Sequence, residues 1–288
     1  MLECVVNVSE GEDAAMIGRL AGTCRSHLLD VHSDADHNRS VFTLGGGEGL
    51  FDAVRDLARE VVSSLDLSAH SGAHPRIGTL DVVPWVSLAR AQPSGGVLVD
   101  GSQAPAMEAR LRFAQWAGTE LRLPCFVYGF EAPTLPEVRR RAWVELAPTT
   151  GPATPHPMAG GCAVGARPVL VAYNFWLAED DLVAAGGLAR ELRSRYPGRV
   201  RTLALRVGSR VQLSCNLIDP WVAGPGAAFD FVASRTAVER CELVGLVPAA
   251  VLRAEPRHRW KELGLDPSTT IEARLEQAGL DGGRFDVQ

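Results

Sequence analysis

The sequence predicts an α/β protein of the α+β kind, built from two ferredoxin-like β-α-β-β-α-β subdomains with a cleft between them. Three observations predict it. Apolar periodicity switches between the alternation of strands and the three-to-four spacing of helices in an order that occurs twice. A stretch rich in Pro, Gly and Thr, Pro148–Arg167, separates the two occurrences. Finally, 288 residues of which 46% are hydrophobic and 22% charged are enough for two cores of ordinary composition.

The first half opens on a predicted strand at Leu2–Val8, a helix at Asp13–Arg25, strands at His27–His32 and Arg39–Leu44, and a long helix at Glu48–Leu65. In that last helix Leu50, Val54, Leu57, Val61 and Leu65 recur at three and four residues and form one apolar stripe. A strand at Thr79–Leu88 completes the split arrangement, in which two helices cover one face of a mostly antiparallel sheet. An insert follows, with a helix at Ala104–Leu121, a strand at Cys125–Tyr128 and a short helix at Pro136–Arg141.

The order then returns. Val169–Tyr173 reads as a strand, Asp180–Arg195 as a helix, and Val200–Val207 and Val211–Leu217 as strands around the turn Gly208-Ser209. Pro225–Cys241 reads as a helix and Leu243–Val247 as a strand. Gly186-Gly187 costs the predicted helix about 2 kcal/mol of propensity. Beyond Arg253 the chain is polar, with a weak helix at Thr270–Ala278. The domains expected are residues 1–166 and residues 167–288, the second including this tail.

A net charge of -5 argues against a nucleic-acid or anionic-membrane partner, because both want a basic face. The expected partners are small molecules. Six scattered cysteines without a CxxC pair read as reduced thiols in the cytoplasm. The start MLECVVNVSEG has no basic region or apolar run of a signal peptide, and no segment has the roughly 18 apolar residues of a span. Lys261 is the only lysine among 29 basic residues. The positive charge is therefore almost all guanidinium, suited to two-point capture of carboxylates.

Three stretches carry candidate chemistry. Residues 30–39 hold His32, Asp34, Asp36, His37, Asn38 and Arg39. Imidazoles and carboxylates together suit a hydrolytic metal site, but the spacing matches no metal signature, and turns attract Asp and Asn for their own backbone bonds. Residues 70–81 hold His70, His74, Arg76 and Asp81. Gly72 and Pro75 make this a loop, so the two histidines do not share a helix face. A histidine there can serve as a general base, its ordinary pKa lying near working pH. The third stretch, Gly151–Arg167, is small and Pro-rich; it suits either a plain linker or close approach of a flat ligand to backbone, and has no phosphate-loop spacing.

Taken together these stretches resemble the glutamate formiminotransferase family. ECVVNVSEG is similar to the family's ECVPNFSEG, DADHNRSVFTLGG contains its NR(S/T)V strand motif, and HSGAHPRIGTLDVVPWV is similar to HKGEHPRMGALDVCPFV. GPATPHPMAGGCAVGARPVLVAYNFWL resembles its folate-binding segment and the following strand, and QLSCNLIDP and ELVGLVP echo its second half. The likeness runs from about residue 2 to residue 250.

The resemblance implies transfer of a formimino group from N-formimino-L-glutamate to N5 of tetrahydrofolate, a co-substrate, with no metal. It places the catalytic histidine at His74, with His70 as a possible second acid. It also places folate on Gly151, Pro152, Ala153, Thr154, Pro155, His156, Pro157, Met158, Ala159 and Gly160. Substrate carboxylates and the pterin would be met by Asn38, Arg39, Arg76, Arg167 and Asn174. The resemblance further implies a homodimer, and a chain too short for the helical cyclodeaminase domain of animal members. Ser71 and Ala73 replace the family's Lys and Glu beside the histidine. Two alternatives follow: a metal-dependent amidine or guanidine hydrolase using His32, Asp34, Asp36 and His37, and a folate-binding paralogue without turnover.

Overall fold

In β1 (Leu2–Val8) the alternation of Cys4, Val6 and Val8 puts three fully buried side chains on one face, the period of two that a sheet with one buried face demands. The computed structural model, which describes residues 1–72, 75–88 and 102–280, continues through α1 (Ala14–Thr23), β2 (Leu28–Asp34), β3 (Arg39–Gly46), α2 (Leu50–Ser64) and β4 (Leu80–Ser87). Asp13 starts α1 by accepting the N–H groups of Ala15 and Met16, donors that a helix start otherwise leaves unpaired. The predicted stripe of α2 is the buried one: Leu50, Val54, Leu57, Val61 and Leu65 all lie in the core beneath the sheet. These strands lie in the order β2-β3-β1-β4, each antiparallel to its neighbour, as two β-α-β crossovers joined by a hairpin produce.

The insert does not stand apart from this sheet. After α3 (Ala104–Glu120), β5 (Cys125–Gly129) and α4 (Leu135–Arg141) comes β6 (Cys162–Ala166), and the sheet is extended in the order β4-β6-β5 with both pairs parallel. The linker reading of residues 162–166 is therefore corrected: every residue of β6 is buried. Its Gly/Ala composition reflects its neighbours rather than flexibility. A Cβ on Gly165 would lie 2.1 Å from Cζ of Tyr128, and one on Gly161, just before the strand, would lie 2.8 Å from the Trp143 ring. Strand propensity scales penalise these small residues, yet no larger side chain fits.

The described residues form two compact units, and the chain passes from the first to the second between Pro168 and Val169. The second repeats the plan with β7 (Val171–Leu177), α5 (Leu182–Arg195), β8 (Val200–Val207), β9 (Arg210–Leu217), α6 (Pro225–Ala233) and β10 (Val238–Val244), in an antiparallel sheet ordered β10-β7-β9-β8. α5 forms through Gly186-Gly187 because Asp181 caps it and Ala185, Leu188, Ala189 and Leu192 bury one stripe. The helix expected over Pro225–Cys241 stops at Ala233. Pairing with β7 claims Val238–Val244 as a strand, burying Cys241 and Val244, so tertiary partners override the local pattern.

The tail also differs from its sequence reading. Beyond α7 (Ala249–Ala254), Leu263, Leu265, Ile271 and Leu275 are buried, the last two in α8 (Ile271–Gln277). Glu255 accepts the Gly226 N–H at 2.8 Å at the start of α6, Glu272 accepts the Ala249 N–H at 2.8 Å at the start of α7, and the Tyr173 hydroxyl donates to the Leu263 carbonyl. This segment is thus part of the second core. Leu263→Ala is expected to destabilise the protein by about 2–5 kcal/mol, read as a lowered midpoint in thermal unfolding; an unchanged midpoint would contradict this packing.

All six cysteines are buried free thiols. Among the described residues, no helix is long and apolar enough to cross a membrane.

Candidate active site

The turn between β2 and β3 is built by its own side chains. Asp34 Oδ1 accepts the His37 N–H at 2.8 Å, the local bond by which Asp favours turns. Asn38 takes a left-handed φ of 46°, which Asn tolerates better than most residues. Its amide then joins three segments. Oδ1 accepts the Gly11 N–H at 2.9 Å and Nδ2 donates to the Ser71 carbonyl at 2.9 Å. Both ends of the Asn38 side chain are thereby engaged with backbone.

The loop before β4 closes on this turn. His70 Nε2 donates to the Asn38 carbonyl at 2.9 Å, while Nδ1 accepts from Arg76 Nη1, the neutral tautomer assigned from its partners. Arg76 Nη2 also reaches the His37 carbonyl, at 3.4 Å. Gly72 permits the approach, since a Cβ there would lie 2.5 Å from the His37 carbonyl oxygen. The Ser9 hydroxyl donates to the Gly78 carbonyl at 2.9 Å, and the Ser40 hydroxyl donates to the Glu10 carbonyl at 2.5 Å. The Ser9-Glu10-Gly11 stretch after β1 thus clamps both loops.

Residues 151–160 lie wholly in the first unit. Gly151, at φ 83°, packs so closely on one side that a Cβ would meet the Leu123 carbonyl oxygen at 2.7 Å, and Gly151, Ala153, Thr154, Pro155, Pro157 and Met158 are exposed. The far end is pinned to the β4 approach: Leu67 N–H donates to Met158 at 2.7 Å, Thr79 N–H to Ala159 at 3.0 Å, and Gly161 N–H to Ile77 at 2.9 Å. His156 Nδ1 accepts the Ala159 N–H at 3.0 Å, holding the tight turn. The segment is an exposed loop with fixed ends, and the flexible-linker account is corrected for it.

Charge is concentrated at this junction. Asp81 is buried; its Oδ1 accepts the Ile77 N–H at 2.8 Å and its Oδ2 an Arg139 Nη2 donor at 2.6 Å. Burial raises the Asp81 carboxyl pKa, against the opposing pull of Arg139, Arg39 and Arg76. Burial pushes Arg39 down to about 10 and also lowers Arg76, with Asp81 opposing in each case and Arg139 adding like-charge repulsion. Arg39, Arg76 and Arg139 thus gather at the Asp81 carboxylate, and Arg39 also faces Asp34.

The structure therefore brings Asn38, Arg39, Arg76 and the end of segment 151–160 to one end of the first sheet. His74 and its neighbour Ala73 lie outside the described residues, between Gly72 and Pro75. Arg167 follows β6 at the opposite end, its N–H bonded to the Trp85 carbonyl. Asn174 belongs to the second unit, where it is buried and donates to Glu242 at 3.1 Å. As for His32, Asp34, Asp36 and His37, no group of His, Cys, Asp and Glu that can hold a metal ion is found among the described residues.

Residues 1–167 match the formiminotransferase domain, N-terminal subdomain. The chain belongs to the formiminotransferase family. It is 32% identical to the glutamate formimidoyltransferase of Streptococcus pyogenes serotype M1, across 88% of this chain and 90% of that one. It is 29% identical to the glutamate formimidoyltransferase of Thermoplasma acidophilum, across 96% of this chain and 98% of that one. The formimidoyltransferase-cyclodeaminase of Sus scrofa is 31% identical across 88% of this chain, which corresponds to 51% of that longer protein. These likenesses make the chain a transferase of formimino groups.

Within this family setting, sequence reasoning missed Ser9, Gly11 and Arg139. Ser9 and Gly11 stand in the ECVVNVSEG stretch, which marks the family without saying what either residue touches. The Ser9 hydroxyl meets the Gly78 carbonyl and the Gly11 N–H meets the Asn38 side chain, partners distant in the chain, and Arg139 is one of three consecutive arginines in a short helix.

Proposed function

We propose that this chain transfers the formimino group of N-formimino-L-glutamate to N5 of tetrahydrofolate, releasing glutamate. The observation that carries the reading is the hydrogen-bonded junction of the loop entering β4, at Ile77–Thr79, with the segment ending at Gly160, where Arg39, Arg76 and Arg139 gather around Asp81. Resemblance assigns the base to the first of these elements and folate to the second, and their meeting gives both substrates one place to react.

N5 attacks the amidine carbon, forming the new C–N bond and becoming cationic. His74 removes the N5 proton so that the tetrahedral adduct does not revert. The same proton goes to the glutamate nitrogen as its bond to carbon breaks, so that a neutral amine leaves. His70 has both ring nitrogens engaged, so we assign the return of the proton to His74. Arg39 and Arg76 supply the positive field for the carboxylates of the donor, and Asn38 holds the loops that carry these groups. Tetrahydrofolate would lie along Gly151–Gly160, where exposed Pro-rich backbone is held rigid at both ends. Holding both substrates contributes up to about 7–11 kcal/mol in the best intramolecular systems.

Calorimetric titration with tetrahydrofolate, followed by N-formimino-L-glutamate and an optical assay for 5-formimino-tetrahydrofolate, tests the proposal. Saturable folate binding followed by product is the expected result. Folate binding without product rejects the donor, and absence of folate binding rejects the reading.

A further inference from the structure

Arg139 comes from α4, outside the motif stretches quoted above, yet its guanidinium contacts the buried carboxylate of the junction. Its Nη2 lies 2.6 Å from Asp81 Oδ2, and the two side chains are only 21% and 2% exposed. The other oxygen of Asp81 accepts the N–H of Ile77 at 2.8 Å. Ile77 follows Arg76 directly, and its carbonyl accepts from Gly161. The pair thus ties α4 to the backbone at which the two candidate substrate-bearing segments meet.

This arrangement is poorly explained as stabilisation. A guanidinium and a carboxylate are both withdrawn from water, and the Nε of Arg139 is buried without a partner. Such pairs are often no better for stability than apolar residues of the same volume. They do fix direction: one short charge-assisted bond from Arg139 holds Oδ2 while Oδ1 holds the Ile77 N–H, so the carboxylate is oriented from both sides. We propose that Arg139 is a positioning residue for the transfer reaction, acting through Asp81 to hold the Ile77 end of the loop that carries His74. The inference rests on the transfer reading above.

The groups facing Asp81 are Arg139 from α4, Arg39 from β3, Arg76 and the Ile77 N–H from the loop, and Cys162 from β6. Burial already raises the Asp81 pKa, and Arg139 is the first of the groups opposing that rise. Removing Arg139 removes the first of these opposing influences, so Asp81 takes up its proton at a higher pH than in the unmodified protein. A protonated Asp81 holds Ile77 less firmly, and the acid limb of the rate profile moves to higher pH.

The test is Arg139→Met and Arg139→Lys in the full chain, compared with the unmodified protein. The readouts are kcat, KM for the formimino donor, tetrahydrofolate affinity, the pH–rate profile and the thermal midpoint. Arg139→Met is expected to lower kcat about 10–100-fold with folate affinity within about three-fold, and to move the acid limb upward. Arg139→Lys, which keeps the charge, is expected to restore the position of that limb while recovering only part of kcat. An unchanged kcat and profile in Arg139→Met overturns the positioning role. So does a variant that loses activity only in proportion to its loss of folded protein. An unmodified protein without transfer activity overturns the function reading itself, and this inference with it.

Discussion

Replacing His74 with alanine is expected to lower formimino transfer by about 10²–10⁴-fold, the usual contribution of a positioned acid or base, while tetrahydrofolate affinity stays within a few-fold. The expectation comes from the division of labour in the first unit. Folate is assigned to Gly151–Gly160, whose far end is bonded to Leu67, Thr79 and, through Gly161, Ile77, with His156 holding its turn. The flanks of His74 are held independently. Gly72 packs on the His37 carbonyl, and Arg76 bonds His70 and the His37 carbonyl. With these bonds in place on either side, loss of the imidazole is expected to remove proton transfer and to spare folate binding. Kinetics with the optical assay, with and without added imidazole, check the result. Turnover of His74→Ala within ten-fold of the unmodified protein would exclude this histidine as the base.

Gly78→Ala is expected to be the most damaging single-methyl change in the first unit. A Cβ at that position would lie 1.9 Å from the Gly161 carbonyl oxygen and 2.5 Å from that of Ala159. Both are backbone atoms in a hydrogen-bonded bridge, so neither can swing aside. Relief requires parting the β4 approach from the folate segment, breaking the Thr79–Ala159 and Gly161–Ile77 bonds. The cost is about 3 kcal/mol or more, with loss of folate binding. Gly18→Ala provides the control. Gly18 lies within α1 with nothing within 4 Å of its would-be Cβ, and alanine there should gain about 0.5–1 kcal/mol. Thermal unfolding and folate titration of both variants decide it; equal behaviour of the two would refute the junction as described.

Much of this fold was legible in the sequence because its signals are local. Period-two strands such as Cys4-Val6-Val8 and the α2 stripe from Leu50 to Leu65 require only near neighbours to be read. The site was half legible. The motif stretches pointed to Asn38, Arg39, Arg76 and Gly151–Gly160, but periodicity does not reveal what an amide or a guanidinium will face. Nothing in the spacing shows that the Asn38 amide bonds the Gly11 N–H and the Ser71 carbonyl. β6 went unread because glycine and alanine carry no strand signal, and its smallness has meaning only beside Tyr128. Val238–Cys241 was read as helix because its partner, β7, lies some sixty residues earlier in the chain.

By itself, then, the sequence determined the doubled β-α-β-β-α-β order and the membership of motif stretches in one family, since both are written in short-range spacing. The tertiary structure alone decided that Asp81 draws Arg39, Arg76 and Arg139 together from three different elements, and that the end of the Gly/Pro segment bonds to the approach of β4. It also decided that the polar tail completes the second core. The physical reason is common to all three. Burial and charge are properties of neighbours in space, and at each of these places the neighbours come from separate elements that only the packed chain brings together.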